Sequence, residues 1–423
     1  MSLRRRAALL VTAASTLTAL AAPAALADTT PPAAPSTPSV TRADLYGAGD
    51  PTYDGVWRQG FAEIAVSMSG YFVNGRATSW LLAQQCADGG WPSYRADTAK
   101  PCDPKTEDTN ATGIALQALQ LSGTGGAGSP AVKRGLDWLA GVQNADGGWS
   151  YNPGGPSDPD STAVVIAGIG ADAARKPNAK GKSPYDALRG FQFGCSAAPA
   201  DRGAFGYPGT DGKLVPNAKA TADALRGLAD ARLAGWQVTA TATATPTTPD
   251  CAADPDAYAS LDPLATATAA GTWLSAQVTK GGGHLTAVTP GSTTPVPDYG
   301  TTADAVVGLA NSGHETQAEQ TYAWLAANSA SWAKGNPAAL AQLVLAANAA
   351  HAPRASGADD PLPQLIALGP APTKRATGAE THADEKKDDG LSSSATTWIV
   401  VGVVFVASAG FGLLLSGRKR RQP

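Results

Sequence analysis

The sequence predicts an all-α fold built from repeated helix pairs, and two observations carry that prediction. The first is a near-duplicate: QCADGGW at 85–91 and QNADGGW at 143–149, with Trp80 and Trp138 at the same offset before each glutamine. The second is an interleaved series aligned on threonine. It reads DTNATGIALQAL (108–119), DPDSTAVVIAGI (158–169), NAKATADALRGL (217–228) and DYGTTADAVVGL (298–309). Counted from Thr112, Thr162, Thr221 and Thr302, positions 0, +3, +4 and +7 are small or apolar, which is one face of a helix. A repeat at this period is the signature of a stacked helical architecture.

The elements follow in chain order. A first helix pair fits 55–72 and 76–85. Helices of the threonine type are expected over 107–121, 159–175 and 217–234, then from Tyr299, then over 336–350, where NPAALAQLVLAANAA has lost its threonine. The tryptophan type ends each time in a Gly-Gly turn, which stops a helix. Its degenerate copies are LRGFQFG (188–194), TWLSAQVTKGGGH (272–284) and YAWLAAN (322–328), and in the second of these His284 takes the final Trp position. The repeats span 50–351. TATATATPTTP marks a Thr-rich insertion at 235–262. Residues 352–397 read as a polar stalk, because GAETHADEKKDDG is charged and has no apolar period.

Both ends read as addresses. Arg4, Arg5 and Arg6, an Ala/Leu stretch and Ala25-Leu26-Ala27 form a signal peptide over 1–27, followed by a linker at 28–49. Residues 398–416 carry no charge and suit one transmembrane helix of about 20 residues. Arg418, Lys419, Arg420 and Arg421 follow in a short basic tail, 417–423, which places the repeats outside the cell membrane. Four cysteines in an exported chain suggest disulfides, and three pairings are possible. Cys86–Cys102 is the local pair, and Cys195–Cys251 follows by elimination. A net charge of −3 gives no reason to expect a nucleic-acid partner.

Gln-x-x-Asp-Gly-Gly-Trp closing one helix, with DxDDTA-like text opening the next, resembles the repeat family of squalene–hopene cyclases and protein prenyltransferase β subunits. The intrinsic factor and transcobalamin type of B12 carrier is similar. The resemblance covers roughly 50–350. It implies an α6/α6 toroid, with six inner helices around a cavity and six outer helices behind them. Inner helices would then all start at one mouth, whose partial positive charge favours anionic groups.

The register assigns roles. Asp108, Asp158, Asn217 and Asp298 each stand four residues before an aligned threonine. A residue repeated in four units meets a need of every unit, here a helix cap. Asp160 has no such excuse, since its counterparts are Asn110, Lys219 and Gly300. It matches the central acid of the cyclase DxDD motif, but Ser161 replaces the last Asp. The threonine-type helices 107–121, 159–175, 217–234 and 336–350 carry no aromatic residue to face a carbocation; Trp57 and Phe61 are the exceptions elsewhere, and Tyr299 opens the remaining helix. The zinc ligands of the prenyltransferases are missing, as is the Gly-Cys-Gly-Glu-Gln run of thioester toroids. His284, His314, His351 and His382 have no metal spacing.

Positions +2, +5, +6 and +9 would line the cavity, including the small Ala118, Gly168, Gly227 and Gly308. Ile114, Gln117 and Val164 fall on one side; Asp223, Arg226, Asp230, Asp304 and Asn311 make the other charged. The bland alternative for Asp223–Arg226–Asp230 is an ion ladder on a solvated face. The expected ligand-binding residues are Asp160, Asn110, Tyr299, Asp223, Arg226 and Asp304. The favoured expectation is a non-catalytic, membrane-anchored binding domain. By resemblance to the B12 carriers, a corrinoid or another bulky polar molecule would be its ligand, passed to a membrane transporter. The alternatives are a terpenoid cyclase using Asp160 and a surface scaffold with a filled barrel.

Overall fold

The computed structural model describes residues 44–375, apart from 123–127, 210, 229–247, 290–291 and 355–356. Six long helices form the inner ring: α1 (Gly55–Met68), α3 (Thr109–Leu121), α5 (Pro159–Ile169), α8 (Ala218–Leu228), α10 (Tyr299–Asn311) and α13 (Pro337–Ala349). Each packs on the next in that order, and α13 packs on α1, so the ring closes. Behind each lies one outer helix: α2 (Gly75–Ala83), α4 (Pro130–Gly141), α7 (Pro184–Arg189), α9 (Pro263–Lys280), α11 (Glu315–Asn328) and α14 (Pro361–Ala367). This is an α6/α6 toroid. Two short helices, α6 (Ala171–Ala174) and α12 (Ala330–Ala333), complete the helical set among the described residues.

Each repeat residue has a physical task. The Asp or Asn four before the threonine caps its helix. Asp108 accepts from the Ala111 amide, Asp158 from Ser161, Asn217 from Ala220 and Asp298 from Thr301. The threonine hydroxyl accepts the backbone N–H that ends the preceding loop, at 3.0 Å in all four units: Trp91 to Thr112, Trp149 to Thr162, Phe205 to Thr221, Leu285 to Thr302. It thereby satisfies a buried donor that has no strand or helix partner. The repeat glutamine bonds its own glycine turn, Gln85 to the Gly89 carbonyl and Gln143 to that of Gly147. Gly147 has φ 93°, and an added Cβ would land on the Ser183 carbonyl at the start of the next outer helix.

This register corrects the sequence reading in several places. The residue in the final Trp position of the fourth unit is Leu285, not His284; His284 instead stacks on Trp324 at 4.0 Å. The helix expected over 159–175 breaks at Gly170, φ 83°, into α5 and α6. The glycines at +6 do not line the lumen. Gly168 faces the Gly113 backbone, Gly227 faces Ala163 and Gly308 faces Leu225, so they are where inner helices touch each other. Residues assigned to the start of the stalk belong to the fold: α14 packs on α13, and β8 (Thr373–Lys374) pairs antiparallel with β1 (Tyr71–Phe72). Within the linker assigned to 28–49, Leu45 and Tyr46 are buried.

Both disulfides expected from the cysteines are present, Cys86–Cys102 and Cys195–Cys251. Among the described residues no helix is long and apolar enough to cross a membrane. The expected signal peptide, span, tail and most of the Thr-rich insertion lie outside the described residues.

Candidate functional site at the inner-helix mouth

Successive inner helices are joined through an outer one, so all six begin at the same end. Hairpins precede three of them at this mouth: β2 (Trp91–Pro92) with β3 (Glu107–Asp108), β4 (Gly206–Pro208) with β5 (Leu214–Pro216), and β6 (Thr286–Val288) with β7 (Pro295–Pro297). The expected anion-attracting mouth is weakened by the caps. At least one free N–H at the start of each of α3, α5, α8, α10 and α13 already bonds Asp108, Asp158, Asn217, Asp298 or Asn336.

Charged side chains from two inner helices meet, with a glutamine from a third. Lys219 pairs with Asp223, its neighbour one turn on, and lies 3.6 Å from Asp304 of α10. Arg226 lies 3.1 Å from Asp304 and 3.5 Å from Asp223. Gln342 of α13 donates to Asp304 at 3.3 Å. Asp223, Arg226 and Asp304 are buried, at 3 %, 6 % and 5 % exposure, so the ion ladder on a solvated face is excluded. Asp230 lies outside the described residues.

The cluster is on the ring axis. The Arg226 guanidinium sits 5.6 Å from the Phe61 ring centre. Phe61 is on α1, which stands opposite α8 in the ring, and opposite helices touch only across the middle. The Arg226–Phe61 contact therefore bridges the lumen, with Trp57 5.0 Å from Phe61 on the mouth side.

Asp160, the second residue of α5, stands on the helix packed against α8, at the same register as Lys219. It is 9 % exposed, and its Oδ1 is buried with no hydrogen-bond partner. Burial, then the negative charge of Asp223, pushes its carboxyl up to about 8, with Lys219 opposing. Burial also raises Asp223, against the pull of Lys219. The proton belongs on Asp160, because Asp223 has two cationic partners and Asp160 has none at bonding distance. Lys219 would be lowered by burial, but Asp223, Asp304 and Asp160 hold it above its usual value. Tyr207, on β4, is pushed up to about 12 by burial and by the charges of Asp158 and Asp160.

The other predicted residues are elsewhere. Asn110 occupies the same register as Asp160 and takes a 3.4 Å bond from Thr109. Tyr299 is stacked between Trp324 and Trp332, with ring centres 5.6 Å apart on each side, so both its faces are used. Sequence reasoning overlooked Lys219 and Gln342. Lys219 had appeared only as a counterpart of Asp160, yet its spacing of four from Asp223 is the signal that finds it.

A family model of the squalene–hopene cyclase C-terminal domain describes part of the chain. It matches residues 53–161. The cyclase resemblance read from the repeats thus holds over that stretch, which ends within DPDSTA. A drimenyl diphosphate synthase from Streptomyces showdoensis is 38 % identical over 84 residues; the match takes in 18 % of this chain and 15 % of that protein. Solved structures similar to this one include a protein from Actinoplanes (16 % identity, TM-score 0.44, 73 % of this chain and 95 % of that one). Another is the ent-copalyl diphosphate synthase from Streptomyces platensis (15 % identity, TM-score 0.45, 70 % of this chain and 50 % of that one). The toroid assignment rests on the closed helix ring itself.

Proposed function

We propose that the mouth of the toroid is a proton-donating site of the terpenoid-cyclase type, with Asp160 as the acid. One observation carries this: a buried carboxyl whose Oδ1 has no hydrogen-bond partner, in surroundings that push it up to about 8. Such a group is matched to general-acid work. It would transfer its proton to a terminal double bond of a linear isoprenoid, leaving the Asp160 carboxylate and a carbocation that an internal double bond then attacks. The family match, which ends at residue 161 just past Asp160, and the drimenyl diphosphate synthase relative support the reading. Trp57 supplies an aromatic surface on the mouth side, and Tyr207 feels the charge of the acid. Purified protein incubated with linear polyprenyl diphosphates and with squalene tests it. Cyclised product from the wild type, lost in Asp160→Asn, is expected; no product from any of these substrates refutes it.

A second reading has its own observation. Lys219 and Arg226 bring two ion-paired cations into the cluster, and Arg226 covers one face of Phe61, where a carbocation would be unwelcome. This favours carriage of a polar ligand without chemistry. A corrinoid is the candidate, held by an extracytoplasmic domain tethered through 398–416 and delivered to a transporter. Equilibrium dialysis with cobalamin decides it, and absence of binding at high micromolar concentration ends it.

A further inference from the structure

Two cations and two carboxylates on the axis are committed to each other. Lys219 bonds Asp223 and approaches Asp304, while Arg226 lies within ion-pair distance of both. The four charges sum to zero in a closed ring. Asp160 stands at its edge with a buried oxygen and no cation of its own. An ionised Asp160 would make the cluster net negative in a buried site, which is costly.

We propose that Asp223 and Asp304 are positioning residues for the acid: by holding Lys219 and Arg226 in this ring they deny Asp160 a cation and keep its proton in place. This rests on the reading of Asp160 as the acid. The groups acting on Asp160 come from every side. Asp158 caps its own helix, Lys219 and Asp223 come from α8, and Asp304 from α10. Tyr207 comes from β4, and α3 presents the uncharged Asn110 at the same register. Burial and the two carboxylates act in the same direction on Asp160, consistent with the geometry.

The proposal makes an asymmetric prediction. Removing one carboxylate frees Lys219 to pair with Asp160, which then ionises. Removing the lysine leaves Asp160 protonated. The test is an isotope-edited infrared titration of the protonated carboxyl band, taken as each chain minus its Asp160→Asn counterpart. The wild type should keep the band at pH 7. Asp223→Asn should move its loss to lower pH by at least one unit. Lys219→Met should not lower it. Asp304→Asn, also isosteric, repeats the first arm should Asp223→Asn fail to fold. An unchanged midpoint in both Asn variants overturns the proposal, as does a wild-type Asp160 ionised at pH 7. The readout needs no substrate. A titration that behaves as stated, in a chain that makes no cyclised product, refutes the cyclase reading and leaves the ion ring standing.

Discussion

At the residue scale, one aligned threonine shows how the repeat works. Thr162 accepts the Trp149 amide and donates to the Trp149 carbonyl, joining the loop to the helix it precedes. Thr162→Val keeps the shape and orphans a buried N–H. It should cost about 1–3 kcal/mol, measured by urea denaturation with an unchanged m-value. The cap Asp158 was legible because it recurs in every unit. Asp160 was legible for the opposite reason, as the residue the repeat does not require. Its surroundings were not legible: Asp223 and Asp304 come from helices far along the chain, and no local pattern says that their side chains meet.

At the element scale, the glycine turns join one helix pair to the next. Gly147 and Gly154 have nearly the same φ, 93° and 90°, but only Gly147 faces a carbonyl, that of Ser183. Gly154→Ala should therefore cost only the conformational strain, about 1–2 kcal/mol. Gly147→Ala should cost clearly more, because the clash with the α7 start adds to it. Chemical denaturation of the two variants side by side checks the difference. The inner helices were readable from their 3.6-residue period and caps. The face assignment was only half right. Positions +2 and +5 of α8 and +2 of α10 do point to the axis, whereas +6 serves helix contacts. A helix face reveals that it is small, and small residues suit both a lumen and a close crossing.

At the scale of the whole molecule, burial outweighs whatever hydrogen bonds several acids have. Burial raises Glu63 to about 8, although Gln59 and Thr78 bond it, and Asp108 to about 7. Asp160 adds to them at about 8. Each folded value lies above the unfolded one, so the folded state binds more protons between the two. Their contribution is fully present below the unfolded carboxylate range and is lost as pH rises through about 7 to 8. The melting temperature should fall from pH 5 to pH 8.5, and Glu63→Gln should flatten that fall. The disulfides act at the same scale. Cys86–Cys102 spans 16 residues, so its reduction should cost about 3 kcal/mol in the chain-entropy model, seen as a lower midpoint in reductant. Phe61→Ala should remove the cross-lumen contact and, on the proposed cyclase reading, admit longer linear isoprenoids, which a chain-length series by tryptophan fluorescence would detect.

The sequence by itself determined the helix types, their order, their caps and their turns. These are local devices, written by residues within a few positions of the groups they bond. Its cysteines also limited the disulfides to three pairings. The tertiary structure alone decided that the ring closes, that α14 supplies the sixth outer helix, and which polar residues share the axis. The sixth outer helix was missed because PLPQLIA carries none of the repeat signature and takes its place only by packing on α13. The charge cluster was legible only in part: Asp223, Arg226 and Asp304 were expected on the cavity face, but their pairing with Lys219 was missed for the same kind of reason. Lys219, Asp223, Arg226, Asp304 and Asp160 form a site only when a closed ring brings three helix starts to one axis. That distance is set by packing across the ring, which no single stretch of sequence contains.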